Sequence, residues 1–380
     1  MVRVLKITIL LLLVLSLGII GGLMFGAFSS FGSLPTDENF STYKSSTQFD
    51  AEKGIFVNRR PTILEEMRKR TMNFSSIIKF IFNNTPDRVP TAELPAVAPD
   101  FDTFKAASDD IKLIWFGHSS ILLNLDGKMV LIDPVLSSST GPFGFMMKRF
   151  RATVADPSTL PPIDVVVISH DHYDHLDTDT IRAFKETKTQ FMVPLGVGAH
   201  LHRWGILADR ITEMDWWESK TVDGIQFTAT PAQHFSGRSL MNQTKSLWAS
   251  WVVQSKKHRL YFSGDSGYDV HFKDIGDKLG PFDIAFIENG QYNEKWPEVH
   301  LHPADSIQAY FDLRAKKYFP IHWGMFSLAM HAWHEPVEKL SEEALKKNIP
   351  LITPVMGETV TVNDQYKPVF WWKDLLKKVP

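Results

Sequence analysis

The sequence predicts an α/β fold in which sheets are covered by helices. Beyond residue 110, short apolar runs are separated by turn signals, a pattern typical of buried strands. Helix-like segments lie between some of these runs, namely Thr178–Glu186 and a stretch that Pro303 opens and that continues to Ala315. Such alternation indicates a layered architecture. The predicted strands are Ile111–Phe116, Ile121–Leu125, Met129–Ile132, Val165–Ser169, Leu260–Ser263 and Ile284–Ile287.

The composition is that of a folded chain with a large core. Of its 380 residues, 44% are hydrophobic and 22% are charged. The formal net charge is −2, so no basic field exists that would hold nucleic acid, and we expect no nucleic-acid partner. Because the chain has no cysteine, any transition-metal site must use histidine and carboxylate ligands. The oligomeric state stays open.

Residues 1–34 predict a membrane anchor or a signal sequence. The run Ile7–Phe28 is almost wholly apolar and follows two basic residues. A membrane helix needs ~20 apolar residues and a signal-peptide core ~7–15, so we expect an uncleaved anchor. Cleavage near the small residues Ala27 and Ser29 is the alternative and would release a secreted protein. In both cases the positive charges stay inside, and the remainder lies outside the cytoplasm.

The remaining chain divides into three parts. Residues 35–100 are polar and rich in proline, and we interpret them as a linker and packing segment with one amphipathic stretch, Ser75–Phe82. Residues 101–362 contain the predicted strands and form the main domain. Residues 363–380 are a C-terminal tail in which bulky aromatics alternate with lysines. This tail fits a helix at a membrane surface or, as we favour, a helix docked on the domain.

The strongest functional signal is the sequence HDHYDH at residues 170–175, which directly follows a predicted strand. A strand end can direct His170 and His172 toward one metal ion. Asp174 and His175 lie on the bend that follows and can serve a second ion. Imidazole and carboxylate are the ligand types that zinc accepts where thiolate is absent. This element supplies four ligands, so we expect others from later loops.

Three later positions offer further ligands, and each comes after an apolar run. His234 ends the sequence TPAQH, and Asp265 lies in YFSGDSG, where glycine allows a tight turn that exposes a carboxylate. His322 lies in FPIHWG. Taken singly, each is also compatible with an ordinary polar or turn residue.

The order of these elements resembles the metallo-β-lactamase superfamily, whose HxHxDH motif is followed by a His, a bridging Asp and a final His. Over residues 111–358 the chain resembles its N-acylphosphatidylethanolamine-hydrolysing phospholipase D branch. The resemblance implies an αββα sandwich, in which two mixed sheets pack face to face with helices outside. The sequences that carry it are WFGH at 115–118, LIDP at 131–134, DWW at 215–217, PAQH at 231–234, SGDSGY at 263–268 and IHWG at 321–324.

The resemblance implies a site for two zinc ions, although manganese or iron could use the same ligands. The implied ligands are His170, His172 and His234 for one ion, Asp174, His175 and His322 for the other, and Asp265 between them. As ionised ligands, Asp174 and Asp265 are also the catalytic candidates. His118 and Asp133 become candidates for orienting the ligands through hydrogen bonds.

The implied activity is that of a membrane-anchored phosphodiesterase of phospholipase D type. A hydroxide that bridges the two ions would attack the phosphorus of an N-acyl phosphatidylethanolamine-like lipid. Loops beside the metals would orient the substrate, and Arg238 is the candidate phosphate contact. The expected substrate-binding residues are Gln233, Arg238, Tyr268, Asn289, Tyr292 and His302.

One segment departs from the phospholipase branch. ENGQYNE at residues 288–294 replaces an apolar-leaning pattern and brings an acidic residue near the site. A metal-dependent lactonase or other carbonyl-ester hydrolase, acting on a small molecule, is therefore the alternative. An oxygen-reducing two-iron enzyme is disfavoured, because such proteins carry an acidic residue where His172 stands. Loss of catalysis is disfavoured because all seven ligands are present.

Overall fold

The computed structural model describes residues 14–18, 21, 28–71, 85–239 and 242–377. Its strands form a small ribbon and two larger sheets, and helices lie along the chain between them. In chain order the strands are β1 Phe49–Asp50, β2 Ile55–Phe56, β3 Ile111–Trp115, β4 Ile121–Leu125, β5 Lys128–Ile132, β6 Val165–Val167, β7 Gln190–Pro194, β8 Ile211–Met214, β9 Ser219–Val222, β10 Ile225–Thr230, β11 Ser250–Gln254, β12 Arg259–Phe262, β13 Ile284–Glu288, β14 Tyr318–Ile321 and β15 Thr359–Val362.

The α-helices of the described residues are short and mostly follow strands. From residue 37 onward they are α1 Asp37–Tyr43, α2 Ile63–Thr71, α3 Phe101–Lys105, α4 Thr178–Ala183, α5 Gly198–Arg203, α6 His271–Leu279, α7 Pro303–Asp312, α8 Glu335–Lys346 and α9 Trp371–Leu376. Pro303 occupies the first turn of α7, where its missing N–H costs no hydrogen bond.

Both large sheets are mixed, as the sequence implied. One has the order β15-β3-β4-β5-β6-β7-β8, and the other has the order β14-β13-β12-β11-β10-β9. Strands β5 to β8 pair in parallel, whereas β15, β3, β4 and β5 pair antiparallel. In the second sheet the parallel pairs join β12, β13 and β14. The predicted α/β class with two mixed sheets is therefore confirmed.

Three apolar layers hold the sandwich together. The central layer joins the inner faces of the two sheets, with Leu113 and Ile121 from one and Phe227 and Phe262 from the other. The outer face of the seven-stranded sheet packs against helices that include α4 and α5. The outer face of the six-stranded sheet packs against α6, α7 and α8. Because strands such as β3 and β4 are buried on both faces, they appear in the sequence as continuous apolar runs.

Some predicted bounds are longer than the observed ones. The strand predicted to reach Ser169 ends at Val167, because Ser169 turns its N–H and hydroxyl toward Asp133, at 2.7 and 2.5 Å. Helix α4 ends at Ala183 instead of the predicted residue 186, and α7 ends at Asp312 instead of the predicted residue 315. Each helix stops where a capping residue closes its last turn.

The predicted anchor lies largely outside the described residues, and the amphipathic stretch Ser75–Phe82 lies wholly outside them. Across the ranges that are described, the structure has no helix with the length and apolar character needed to cross a bilayer. Residues 28–34 are described, and they pack on the main domain. The indole N–H of Trp204 donates to Ser29 O at 2.8 Å, and Ser33 N–H donates to Nδ1 of His200 at 3.1 Å.

The two flanking segments also pack on the domain. Tyr43 and Phe56, in the segment predicted as linker and packing element, are buried in the central layer. In the C-terminal tail, Trp371 and Trp372 are buried, and the ring of Trp371 stacks on Trp323 at 5.4 Å. The tail therefore fits the docked helix instead of one lying on a membrane surface.

Candidate metal centre

Four strand ends converge at one edge of the sandwich. The HDHYDH segment follows β6, His234 follows β10, Asp265 follows β12 and His322 follows β14. All seven predicted ligands lie at this edge. Five of them are buried, and His172 and Asp174 are partly exposed. The structure thus brings together every residue that the sequence nominated as a ligand.

Four of these residues form a first group. His170, His172, His234 and Asp265 each offer a ligand atom, and these atoms lie within 4.8 Å of one another. Nδ1 of His172 lies 2.9 Å from Nε2 of His170 and 3.2 Å from Nε2 of His234. Oδ2 of Asp265 lies 3.7 Å from Nε2 of His234. Three imidazoles and one carboxylate suit a zinc-like ion.

A second group adjoins the first and is in contact with its Asp265. Ligand atoms of His118, Asp174, His175 and His322 lie within 4.8 Å of one another. Asp265 places Oδ1 3.1 Å from Nε2 of His175 and Oδ2 3.1 Å from Nε2 of His322. Its carboxylate therefore contacts both groups, as the implied bridging role requires.

The buried polar atoms of the site fit a cation. Nε2 of His175 and Oδ1 of Asp265 are buried and lie 3.1 Å apart, without the alignment of a hydrogen bond. Leaving such atoms unsatisfied costs ~1–3 kcal/mol each, so the arrangement favours a bound ion that both can coordinate. These clusters are able to bind metal, and the assignment of individual ligands stays a prediction.

The protonation states of several groups already suit metal binding. Burial would raise the pKa of Asp174, but His175 and hydrogen bonds from His118 and His322 hold it well below its usual range. Burial and the neighbouring His175 lower the pKa of His170 well below its ordinary value. The carboxylate is therefore ionised and the imidazole neutral, which are the forms that coordinate a metal.

Both residues predicted to orient the ligands are in contact with them. Asp133 accepts a hydrogen bond from Nδ1 of His175 at 2.7 Å, which leaves Nε2 of that histidine facing the site. Nε2 of His118 donates to Asp174 at 2.9 Å. Burial and the nearby His322 lower the pKa of His118 to about 3, so its ring is neutral.

Asp171, which lies inside the HDHYDH segment, holds that segment in place through hydrogen bonds. Asp171 is buried between two predicted ligands and accepts hydrogen bonds from Gly237 N–H at 2.6 Å and from the Ser246 hydroxyl at 2.8 Å. Nε2 of His200 also donates to it, at 3.2 Å. Because Nδ1 of His200 accepts from Ser33 N–H, the N-terminal segment is connected to the metal-binding loop through this histidine.

Arg238 is not placed as a phosphate contact. Its guanidinium is buried and donates to the carbonyl oxygens of Asp171 and Leu176 at 2.8 Å and of Ser30 at 2.7 Å. It also lies over the ring of Tyr173, 3.9 Å from the centroid. Arg238 therefore fixes the metal-binding loop, and the predicted phosphate contact is contradicted by this geometry.

Three other predicted substrate contacts are engaged by protein groups. The side-chain amide of Gln233 donates to Glu298 O at 2.9 Å, and that of Asn289 donates to Pro336 O at 2.9 Å. The Tyr268 hydroxyl donates to Asp312 at 2.5 Å. Nothing in these contacts brings the three side chains to the metal clusters.

The last two predicted contacts lie against each other. The rings of Tyr292 and His302 are 4.7 Å apart, and the Tyr292 hydroxyl donates to Glu335 at 3.0 Å. His302 precedes α7 but makes no capping hydrogen bond through its side chain. For all five of these residues, substrate contact stays a prediction.

Sequence reasoning missed His300. It forms a third group with Asp265, Glu288 and His322, whose ligand atoms lie within 4.8 Å of one another. Its ring lies 5.1 Å from that of His234, and its Nδ1 donates to Glu288. The sequence HLHP before α7 contains two histidines, His300 and His302, and only His302 was selected as a candidate site residue. The expected acidic residue near the site is Glu288.

Comparisons with known proteins agree with this geometry. Residues 128–323 match the family model described as the beta-lactamase superfamily domain. The chain belongs to the metallo-β-lactamase superfamily. It is a metal-dependent hydrolase of that superfamily, and a protein of Mycobacterium tuberculosis described as uncharacterized is 38% identical to it over 325 residues, which cover 84% of this chain and 86% of the relative.

A second relative agrees with the resemblance found in the sequence motifs. The N-acyl-phosphatidylethanolamine-hydrolyzing phospholipase D 1 of Caenorhabditis elegans is 36% identical over 275 residues, covering 66% of this chain and 76% of that protein. Among solved structures, an isothiocyanate hydrolase from Delia radicum gut bacteria superposes with a TM-score of 0.53 at 20% identity, covering 66% of this chain and 98% of that one. At that identity the likeness concerns the metallo-β-lactamase fold alone.

Proposed function

We propose that this protein is a membrane-anchored, dinuclear zinc phosphodiesterase of phospholipase D type that cleaves N-acyl phosphatidylethanolamine-like lipids. The observation that carries the proposal is the pair of adjacent ligand groups, one of which contains Asp265 while the other contacts it. Two adjacent ions are the arrangement that stabilises both the attacking and the leaving oxygen in phosphoester cleavage. The similarity to the Caenorhabditis elegans phospholipase supports the choice of lipid.

The chain's own residues would hold and orient the reacting groups. When bound, the two ions would supply a hydroxide nucleophile near neutral pH and neutralise charge on the phosphate. His170, His172 and His234 would hold one ion. Asp174, His175 and His322 would hold the other, with Asp265 between them. Asp133 and His118 would keep His175 and Asp174 oriented through the hydrogen bonds described above.

Membrane anchoring and an extracytoplasmic catalytic domain are part of the proposal. The described residues of the predicted anchor include Val14, Leu15 and Leu17, whose side chains are 59%, 61% and 67% exposed. Exposed apolar side chains in succession are unfavourable in water and favourable in lipid. Anchoring would hold the metal centre next to a lipid substrate.

Hydrolysis of a lactone or another carbonyl ester is the second candidate function. Glu288 favours it, because a carboxylate so close to His322, with Oε1 3.4 Å from Nδ1, disfavours an anionic phosphodiester. The same metal ligands would serve an attack on carbon. The two candidates therefore differ in substrate and agree on the metal centre.

The proposed function is tested with the full-length protein in mixed micelles. N-acyl phosphatidylethanolamine and a lactone are supplied separately, and metal content is measured on the same preparation. Release of N-acylethanolamine and phosphatidic acid with about two metals per chain supports the phosphodiesterase. Lactone hydrolysis without lipid cleavage selects the second candidate. A preparation that binds no metal under any supply overturns both.

Variants test the shared metal centre. We expect Asp265→Asn and His172→Ala to abolish turnover and to lower metal content, because each removes a ligand. Asp277→Asn is the matched control, since Asp277 is an exposed carboxylate on α6. Full activity in either ligand variant would contradict the two-ion site.

A further inference from the structure

Residues 138–149 form a short hairpin between β5 and β6, which we call the apolar hairpin. Thr140 N–H donates to Met147 O at 3.1 Å, and Arg149 N–H donates to Ser138 O at 3.0 Å. These bonds join its two arms, and an isolated bridge pairs residues 139 and 148. The hairpin is therefore an ordered projection of the main domain.

The tip of the apolar hairpin exposes large apolar side chains to solvent. Phe145 is 64% exposed and Met147 is 38% exposed. The ring of Phe143 stacks on that of Phe145 at 5.5 Å. Large apolar side chains exposed together at one loop tip are a feature of interaction sites. Lys148, next to the tip, is exposed as well and adds a positive charge.

The base of the apolar hairpin is fixed to the surroundings of the metal centre. The buried guanidinium of Arg149 donates to Val135 O at 2.7 Å and to Phe116 O at 2.6 Å. It also lies 5.4 Å from the ring centroid of Phe326, and that ring is 5.2 Å from the ring of His118. The position of the tip is thus set relative to the metal ligands.

The apolar hairpin also borders the segment that follows the predicted anchor. A cavity of about 90 Å³ is lined by Gly141 and Pro142 of the hairpin, by Tyr173 of the HDHYDH motif and by Ser30. Two residues before Ser30, the side chain of Phe28 is 60% exposed. The predicted membrane segment therefore ends on the edge of the domain that carries both the hairpin and the metal-binding loop.

We propose that the apolar hairpin is a second membrane contact, whose tip enters the interfacial region of a phospholipid bilayer. This inference rests on the proposed function and deepens it, because it makes the substrate a lipid that is still in the membrane. The bilayer is the occupant because the anchor would end beside the hairpin. Phenylalanine side chains are among those that bury at the headgroup boundary of a bilayer, and Lys148 complements anionic headgroups. The metal centre would then face the membrane surface.

The absence of cysteine from the chain allows a site-specific test. A single Phe145→Cys variant is labelled with an environment-sensitive fluorophore, and the full-length protein is reconstituted into phospholipid vesicles with or without spin-labelled lipid. Lys256→Cys is the matched control, since Lys256 is exposed in the turn between β11 and β12. That turn lies about 17 Å away from the metal edge, because β11 has five residues.

We expect spin-labelled lipid to quench the label at position 145 several-fold more than the label at position 256. Equal, weak quenching at both positions would overturn the proposal. A spectral shift that grows with protein concentration, without quenching by lipid, would instead assign the tip to contact with a second copy of the chain. Metal content of each labelled variant shows that it is folded, and Met147→Cys is a second position on the tip.

The hydrolysis assay on the same vesicles separates this inference from the proposed function. Quenching at the tip without lipid cleavage keeps the membrane contact and counts against the phosphodiesterase. Lipid cleavage without quenching supports the phosphodiesterase and overturns the membrane contact, because the reaction then proceeds without contact between the apolar hairpin and the bilayer.

Discussion

At the scale of single residues, His175 and His322 are protonated until a metal binds. Burial would lower the pKa of His175, but Asp265 and Asp174 outweigh it and raise the pKa to about 10. At His322, burial would also lower the pKa, but Asp265 and Asp174 outweigh it and raise the pKa well above its ordinary value. Both imidazoles therefore carry a proton at neutral pH in the metal-free protein, and a coordinating nitrogen must lose it.

We predict that metal binding at pH 7 releases at least two protons per chain, one from each of these imidazoles, with a further one expected from the metal-bound water. Since the protonated form competes with the metal, affinity is expected to rise as pH increases toward the raised pKa values. Calorimetric titration in buffers of different ionisation enthalpy measures the number released. Binding enthalpies that do not depend on the buffer would contradict the assignment of these two ligands.

A second prediction concerns Asp133, which contacts no predicted ion but accepts the hydrogen bond from His175 at 2.7 Å. We expect Asp133→Asn to reduce metal affinity or activity ~10–100-fold, because an amide no longer offers two acceptor oxygens to His175 and Ser169. Competition with a chelator measures the affinity. The exposed Asp110→Asn serves as control, and equal affinities in the two variants would rule out the orienting role.

The site could be predicted where residue type and strand position coincide. His234, Asp265 and His322 each follow a buried strand, and the shared order identified them together. His300 was missed because it lies in a long loop after β13 and does not directly follow a strand, although the fold brings it against Glu288 and His322. The role of Arg238 could not be inferred, since nothing local to its sequence shows that its guanidinium is buried.

At the scale of secondary-structure elements, burial on both faces made the strands predictable. Runs such as Ile121–Leu125 have five buried residues and were identified with their observed bounds. The short edge strand β9 has exposed residues and was not predicted. The end of β6 was misplaced, because Ile168 continues the apolar run of the strand, while Ser169 directs its hydrogen bonds to Asp133 at the site.

The turn after β12 gives a prediction at this scale. Gly264 has a φ of +56°, and a Cβ there would lie 2.7 Å from Cβ of Ser169, next to Asp265. We expect Gly264→Ala to destabilise the fold by ~1–3 kcal/mol and to lower metal content, because the turn must shift. Thermal unfolding and metal analysis measure the two effects.

Gly127 offers a matched control in the turn between β4 and β5. It also has a positive φ, of +84°, but a Cβ there would meet no atom within 4 Å. Gly127→Ala is therefore expected to lose stability and to keep its metal. Equal metal loss in both variants would mean that backbone strain alone, without displacement of Asp265, accounts for the effect.

At the scale of the whole molecule, residues 28–34 form part of the domain although the sequence assigned them to the anchor. We predict that a chain starting at residue 28 keeps its stability, whereas one starting at residue 35 loses ~2 kcal/mol or more. The longer deletion removes the acceptors of Trp204 and Arg238 and the donor to His200. Chemical denaturation of the two chains measures the difference, and equal stabilities would contradict the prediction.

The distribution of the ligands over the two sheets has a consequence for unfolding. The seven-stranded sheet supplies the HDHYDH segment, and the six-stranded sheet supplies His234, Asp265 and His322. Neither sheet alone completes either ligand group, so each ion would act as a removable cross-link between the halves of the sandwich. Free metal at 100 times its dissociation constant would add ~2.7 kcal/mol to the free energy of unfolding for one site. The supply of metal would therefore change the free energy needed to separate the two sheets.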